Sequence, residues 1–462
     1  MLPIIPYIAI AGTALTAWAI IKKYNVNITL LFAGLGLNLL AILGGASKIL
    51  PASQKSTGFI GFDLFDLLRT ISIHQVSHIG FLILVAGGFA TYMERIGASS
   101  KLVQICIRPL RYFKNRYLLL GGAFLLGHAL VVVVPSAAGL AMVLVVSMYP
   151  LLVTGLGVSK ASAAAIIGTT CCMSYAPSSA MAILGSRTVG VDLIVYLVKY
   201  QLPVALCAVA VITIAHVIVQ SYFDRKEGAA QGSATDAEQE RKFAEKCAHI
   251  PVYYALFPIF PLVLIGIFNK LVSKTIVLDI STALFIGWTF AMCVDMLRFR
   301  DIRKTFDDGM HMFKGMGGVL TTVVSLIFVA QLFAAGLSNT GLVSLMIDGA
   351  KSSGMGLTGT TIILSLCIGL IAILTGSGVA AFSALAGLAP TVAASFGHAG
   401  ISMIIPMQFA AEMLRPVSPV AGVIVIVAGV AGVGTMDIVK RTAIPCALGM
   451  VAVLIGNMLF VV

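Results

Sequence analysis

The sequence predicts an all-α polytopic membrane protein made of two halves related as an inverted-topology repeat. Each half has five transmembrane helices and one re-entrant hairpin. Three observations carry that class. Hydrophobic residues make up 59% of the 462 and charged residues 10%, with a mean hydropathy of +1.04. A soluble domain carries roughly 25% charged residues, so too few are present to coat a water-facing surface. Apolar stretches of spanning length follow one another along the whole chain. Sequence blocks recur in order about 242 residues apart.

Spans are expected near 3–21, 27–47, 75–93, 160–186, 199–222, 252–273, 276–296, 316–337, 402–434 and 442–461. The N-terminal MLPIIPYIAI has no basic n-region and no cleavage signal, so it reads as a retained first span. Two stretches, 117–155 and 357–392, are too long for one helix and break in the middle. The first breaks at Pro135-Ser136-Ala137-Ala138-Gly139 and the second at Thr375-Gly376-Ser377-Gly378.

Charge placement orients these segments. The formal net charge of +12 lies in short runs between apolar stretches, which fits the positive-inside rule and not nucleic-acid binding. Lys101, Arg108, Arg111, Lys114 and Arg116 mark 94–116 as cytoplasmic; Lys22, Lys23, Arg298, Arg300, Arg303, Lys304, Lys440 and Arg441 mark three further loops. The loops near 48–73 and 338–356 are poorer in Lys and Arg and read as external. These sides agree only if 117–155 and 357–392 each enter and leave on one side, as re-entrant hairpins. Ten crossings then leave both chain ends external. Polar residues 223–250 read as a flexible cytoplasmic linker between a first repeat, 1–222, and a second, 251–462. Residues 98–116 alternate apolar and basic side chains, as a helix lying in the membrane interface does.

The repeat rests on four anchors. PVALCAVAV at 203–211 matches PCALGMVAV at 445–453, 242 apart; VAGGFATYMERIG at 85–97 matches VAQLFAAGLSNTG at 329–341, 244 apart. Ser136 and Ser377 lie 241 apart, and Pro177 and Pro419 lie 242 apart. Five crossings and a hairpin per half force the second copy into the membrane from the opposite side. That is the pattern of secondary transporters.

Chemistry is expected where helices break at membrane depth, because a freed backbone group costs several kcal/mol there unless protein, water or ligand satisfies it. Four breaks qualify: Pro135–Gly139, Ser174–Ser179, Thr375–Gly378 and Arg415–Pro419. Half-helix N-termini would offer N–H groups and a positive dipole end to a small carboxylate. Ser136, Thr170, Ser174, Ser178, Thr375, Ser377 and Ser418 would add hydroxyls. Each hydroxyl also has a plainer use, as a helix cap or a bond back to its own helix; that applies to Thr169 and Ser179 too. Pro135, Gly139, Pro177, Gly376, Gly378 and Pro419 serve the turns. Arg415 either clamps a substrate carboxylate or pairs with Glu412 three residues earlier; Glu412 could instead hold a coupling Na+ or proton. His74 and His78 have metal-compatible spacing but no acidic or Cys partner, so an interfacial polar role is expected. His128 reads as a satisfied core histidine. Eight Cys show no metal or CxxC spacing, and no Walker, HExxH or nucleophile-elbow motif occurs, so no enzyme, cofactor or metal is expected.

VPSAAGLAMVLVVSMYP (134–150), SYAPSSA (174–180), LTGSGVAAFSAL (374–385), LRPVSPVAGVIVIVAG (414–429) and DIVKRTAIP (437–445) resemble the anaerobic C4-dicarboxylate transporters of the DcuC type. ILPASQKSTG (49–58) and GFATYMERIGAS (88–99) resemble them too, so the likeness runs along nearly the whole chain. It implies a member of the ion transporter superfamily, with elevator-type scaffold and transport domains and a homodimeric state. It further implies exchange or cation-coupled movement of succinate, fumarate and malate across the bacterial inner membrane, with the site at the hairpin tips and the two proline breaks. The alternatives are a sodium/proton antiporter centred on Glu412 and a carrier of another small organic anion. Asp279 and Asp295 near span ends are the other acids weighed for antiport, and their scarcity favours the anion carrier.

Overall fold

The structure is a computed structural model that describes the chain except residues 1–2, 52–53, 113–114, 135, 157, 228–233, 270–271 and 273–274. Every regular element among the described residues is helical. The first half runs α1 Ile5–Ile21, α2 Val26–Leu43, α3 Ile60–Gln75, α4 Phe81–Arg95, α5 Ala98–Ile107, α6 Arg116–Val133, α7 Ala137–Leu156, α8 Lys160–Thr169, α9 Ala180–Thr188, α10 Leu193–Val195 and α11 Leu202–Glu227. After α12 Ala234–Ala248 come α13 Phe260–Ile267, α14 Ile280–Phe299, α15 Ile302–Val319, α16 Ser325–Asn339, α17 Leu342–Ser352, α18 Leu357–Thr375, α19 Gly378–Ala386, α20 Ala389–Ser395, α21 Ile401–Leu414, α22 Gly422–Ala431 and α23 Thr435–Phe460.

Among the described residues, eight helices are long and apolar enough to cross a membrane, or nine if the bent α19–α20 pair counts as one span. Exposed Phe32, Leu43, Phe62, Ile214 and Leu459 place apolar surface on the outside of the bundle, as lipid contact requires. The protein is a multi-pass membrane protein.

The halves repeat local detail as well as order. Single π-helical turns at Val76–Gly80 and Leu320–Val324 lie 244 residues apart and join α3 to α4 and α15 to α16. Gly97 and Gly341, also 244 apart, hold left-handed φ values of 76° and 75° and open the short helices α5 and α17. Glycine suits both positions because a Cβ penalises that backbone region. α2 packs on α16 while α4 packs on α14 and α15, and the final helices α11 and α23 pack on each other. A buried ion pair, Arg441 Nη1 to Asp224 Oδ1 at 3.0 Å, joins those two, and Ser162 of α8 completes it. Removing one partner of such a pair costs about 3–5 kcal/mol.

Several expectations need correction. The span expected at 75–93 begins at Ile60, and that at 316–337 begins at Ile302; each gains an amphipathic helix through a π turn, so 60–73 is not an open loop. Among its described residues, the stretch 252–273 forms only a 3-10 turn, Val252–Leu256, and the eight-residue α13. Residues 223–250 are not a flexible linker where described. α11 continues to Glu227, and α12 is a 15-residue helix packed on α5 and α7. Nor does α5 lie with its basic face in the interface. Lys101 is buried and donates to the Cys247 carbonyl at 2.9 Å, so α12 covers it.

Candidate functional site

Local sequence sets each break. Ser136 Oγ accepts from Gly139 N–H at 3.0 Å and caps α7. Ser377 caps α19 through Ala380 N–H, and Ser179 caps α9 through Ala182 N–H. Such caps contribute about 1 kcal/mol each. Gly376 turns hairpin two at φ 71°, and Thr375 bonds back to Ile371 at 2.8 Å while receiving Ser377 N–H at 3.1 Å. Pro177 lies in the gap between α8 and α9. Pro416 ends α21 by opening a 3-10 turn, Arg415–Val417, and Pro419 follows before α22.

The four breaks meet. A Cβ on Gly376 would lie 2.9 Å from the Ala421 backbone, and one on Gly378 would lie 2.6 Å from the Ala411 carbonyl. Hairpin two therefore seats its tip against α21 and the Arg415–Pro419 break. That break reaches the Ser174–Ser179 break through Arg415, whose Nη2 donates to the Cys171 carbonyl at 2.8 Å. Cys171 Sγ in turn contacts the Ala137 carbonyl of hairpin one at 3.7 Å.

Glu412 and Arg415 do not form an ion pair. Glu412 is 1% exposed; its carboxylate accepts from Ser174 N–H at 2.6 Å and from Gln408 Nε2 at 3.1 Å. Arg415 is half-buried, and its Nε has no hydrogen-bond partner among the described residues. One carboxylate thus faces the Ser174–Ser179 break, while one guanidinium keeps donor capacity beside it. Tyr196 donates to Gln408 Oε1 at 2.6 Å and Gln201 donates to the Ser174 carbonyl at 3.1 Å, fixing the Glu412 side of the cluster.

The hydroxyls divide. Thr170 is fully buried and bonds back to the Ile167 carbonyl at 2.8 Å, and Thr169 does the same to Ala165. Ser418 is buried and receives Val420 N–H at 3.3 Å. Ser178 lies beside Pro177 in a small cleft against α13 and α14. Ser174 presents backbone, not hydroxyl, to its neighbours. His128 is a satisfied core histidine, 1% exposed, with Nδ1 on the Thr170 carbonyl. Pro135 lies outside the described residues.

Sequence reasoning missed Glu94. This residue lies in the last turn of α4, and its carboxylate packs directly on Gly139 beside the Ser136 hydroxyl. A carboxylate from another helix thus rests on the N-terminus of hairpin one's second arm. Gln408, Tyr196 and Gln201 were missed as well. The GFATYMERIG block held the signal for Glu94, because an acid ending an apolar span is rarely without a partner.

An all-helical membrane bundle whose interrupted helices converge at its centre is the architecture of secondary transporters. Two solved structures share the fold. They are Neisseria gonorrhoeae MtrF, at TM-score 0.67 and 13% identity over 96% of this chain and 97% of that one, and the Alcanivorax borkumensis YdaH transporter, at 0.62 and 14% over 94% and 98%. MtrF is described as illuminating a class of antimetabolite efflux pumps. The family model for DcuC, C4-dicarboxylate anaerobic carrier, matches residues 5–462. The chain belongs to the DcuC family. It is 32% identical to the probable anaerobic C4-dicarboxylate transporter DcuC of Vibrio cholerae, over 98% of this chain and 97% of that protein. It is also 32% identical to the anaerobic C4-dicarboxylate transporter DcuC of Escherichia coli, over 96% and 94%.

Proposed function

We propose that the protein is a secondary active transporter moving C4-dicarboxylates such as succinate, fumarate and malate across a bacterial inner membrane. The observation that carries this reading is the meeting of four helix breaks around Arg415, whose guanidinium retains an unpartnered N–H. A dianion leaving water needs donors that need no rebuilding on arrival. Capped half-helices and a fixed guanidinium supply them. Membership of the family and the names of its relatives support the substrate class.

The matching order of elements, with π turns and left-handed glycines 244 residues apart, supports an inverted-topology repeat. In that reading α1–α4 and α13–α16 form the scaffold, and the hairpins and half-helices form a transport domain that moves as an elevator. Glu412 is the coupling-cation residue. Neutralising a buried carboxylate with a proton or Na+ lowers the cost of carrying a dianion through hydrocarbon.

The test is uptake of labelled succinate into proteoliposomes preloaded with unlabelled fumarate, with and without a proton or Na+ gradient. Accumulation that requires internal fumarate is the expected result. Absence of succinate flux from folded, reconstituted protein would overturn the substrate class.

A further inference from the structure

A second cleft lies between the scaffold and the other ends of the half-helices. It has a volume of about 740 Å³ and is lined by His74, Gln75 and His78 at the α3–α4 junction, Arg187 and Thr188 at the end of α9, and Gln331 of α16. α9 runs nine residues, about 13 Å, from the Ser174–Ser179 break to this cleft, and α19 runs from hairpin two toward it.

The lining is polar in a particular way. The His74 and His78 rings lie edge to face with centroids 4.3 Å apart, and neither belongs to a metal-competent cluster of His, Cys, Asp or Glu among the described residues. Gln75 is 9% exposed, yet its amide oxygen has no hydrogen-bond partner among the described residues. A buried amide left so costs about 1–3 kcal/mol unless water or a ligand completes it. Asp192, the acid on this rim, is engaged in capping Ile194 N–H at 3.0 Å. Arg187 is the permanent cation of the lining.

We propose that this cleft is an outer anion site, an antechamber that holds a hydrated dicarboxylate before it reaches the four breaks. The inference rests on the transport reading above and on the placement of this face outside. One guanidinium, two imidazoles and a hydroxyl give donors to carboxylate oxygens. The Gln75 oxygen accepts a hydrogen bond from the ligand's water shell or from the hydroxyl of a hydroxy acid. The volume far exceeds a four-carbon diacid, so the ligand keeps much of its hydration and binding is weak. Its effect is on capture: Arg187 offers the lining's permanent positive charge to an incoming anion, while the Asp192 carboxylate on the rim offsets part of it and is occupied by the Ile194 N–H.

The experiment compares exchange of labelled succinate for fumarate in right-side-out and inverted membrane vesicles, for the natural protein, Arg187→Gln and Arg187→Lys. Arg187→Gln is expected to raise the KM for outer succinate about three- to tenfold, with maximal rate and inner KM unchanged, and Arg187→Lys to restore most of it. In the natural protein, outer KM should rise with outer ionic strength more steeply than inner KM does with inner. This second measurement stands even if Arg187→Gln fails to insert. Unchanged outer KM in Arg187→Gln, or equal salt dependence on both faces, would overturn the antechamber and leave the central site standing. No exchange by the natural protein would remove both.

Discussion

Glu94 and Glu412 are two acids at the candidate site with different work. Glu94 lies on Gly139 and Ser136, where a substrate carboxylate is expected, so it acts as an internal competitor for the hairpin-one tip. Glu94→Gln should therefore lower the KM for succinate about three- to tenfold, which is ~0.7–1.4 kcal/mol, measured by initial rates of exchange. A raised KM would mean that Glu94 assists binding. Glu412 has no cation within ion-pair reach among the described residues and is held by Ser174 and Gln408. Glu412→Gln keeps both the shape and the hydrogen-bond capacity. It is expected to leave succinate–fumarate exchange within about threefold while abolishing gradient-driven accumulation. Accumulation at the natural level would remove Glu412 from coupling. Spacing alone suggested an ion pair with Arg415, because three residues apart on a helix are neighbours. That pairing failed because Ser174, 238 positions earlier in the chain, offers Glu412 an N–H at 2.6 Å. Tyr196 to Gln408 is likewise a contact across 212 positions, and no local pattern announces it.

Helix breaks were legible in advance because proline, glycine and serine act locally. Pro177, Pro416, Gly376 and Ser377 each carry a backbone consequence wherever they stand. The extensions at 60–75 and 302–319 were not legible. Their polar residues, Asp63, Asp66 and Arg69 in one and Lys304, Asp307 and Lys314 in the other, read as loop when only apolar length is counted. The element most sensitive to a small change is the hairpin-two tip. Gly376→Ala forces an L side chain into a left-handed backbone and drives a Cβ onto Ala421. The expected cost is roughly 1–3 kcal/mol in stability with loss of most exchange, read by thermal unfolding and flux. Gly397→Ala is the control. Its φ is 80° but open space surrounds it, so only the backbone penalty of ~1–2 kcal/mol applies and exchange should persist. Equal loss of exchange in both variants would deny hairpin two its special place.

At the scale of the whole molecule, the account requires the hairpins to move against the scaffold. The Glu94 carboxylate of α4 packs on Gly139, beside Ser136 of hairpin one, across that boundary. A Glu94→Cys, Ser136→Cys double variant should lose its residual exchange on mild oxidation and regain it on reduction, while neither single variant responds. Exchange that continues with the cross-link fully formed would show that this contact persists through transport. The 244-residue spacing of the π turns and left-handed glycines has a counterpart in the sequence offsets of 241 to 244, since apolar helices still keep their glycines, prolines and serines in register. The course of 223–250 was not. α12 has few apolar residues, and its place is fixed by distant partners such as Lys101.

The central claim is that the four breaks and Arg415 form the dicarboxylate site. Its most direct test is equilibrium binding of labelled succinate to the detergent-solubilised protein, natural against Arg415→Gln, with thermal unfolding followed in parallel. The account predicts saturable binding that weakens more than tenfold in Arg415→Gln while the unfolding temperature falls by no more than a few degrees, because a clamp and one hydrogen bond to Cys171 are lost but no ion pair with Glu412 is broken. Equal affinity in the two proteins would contradict it.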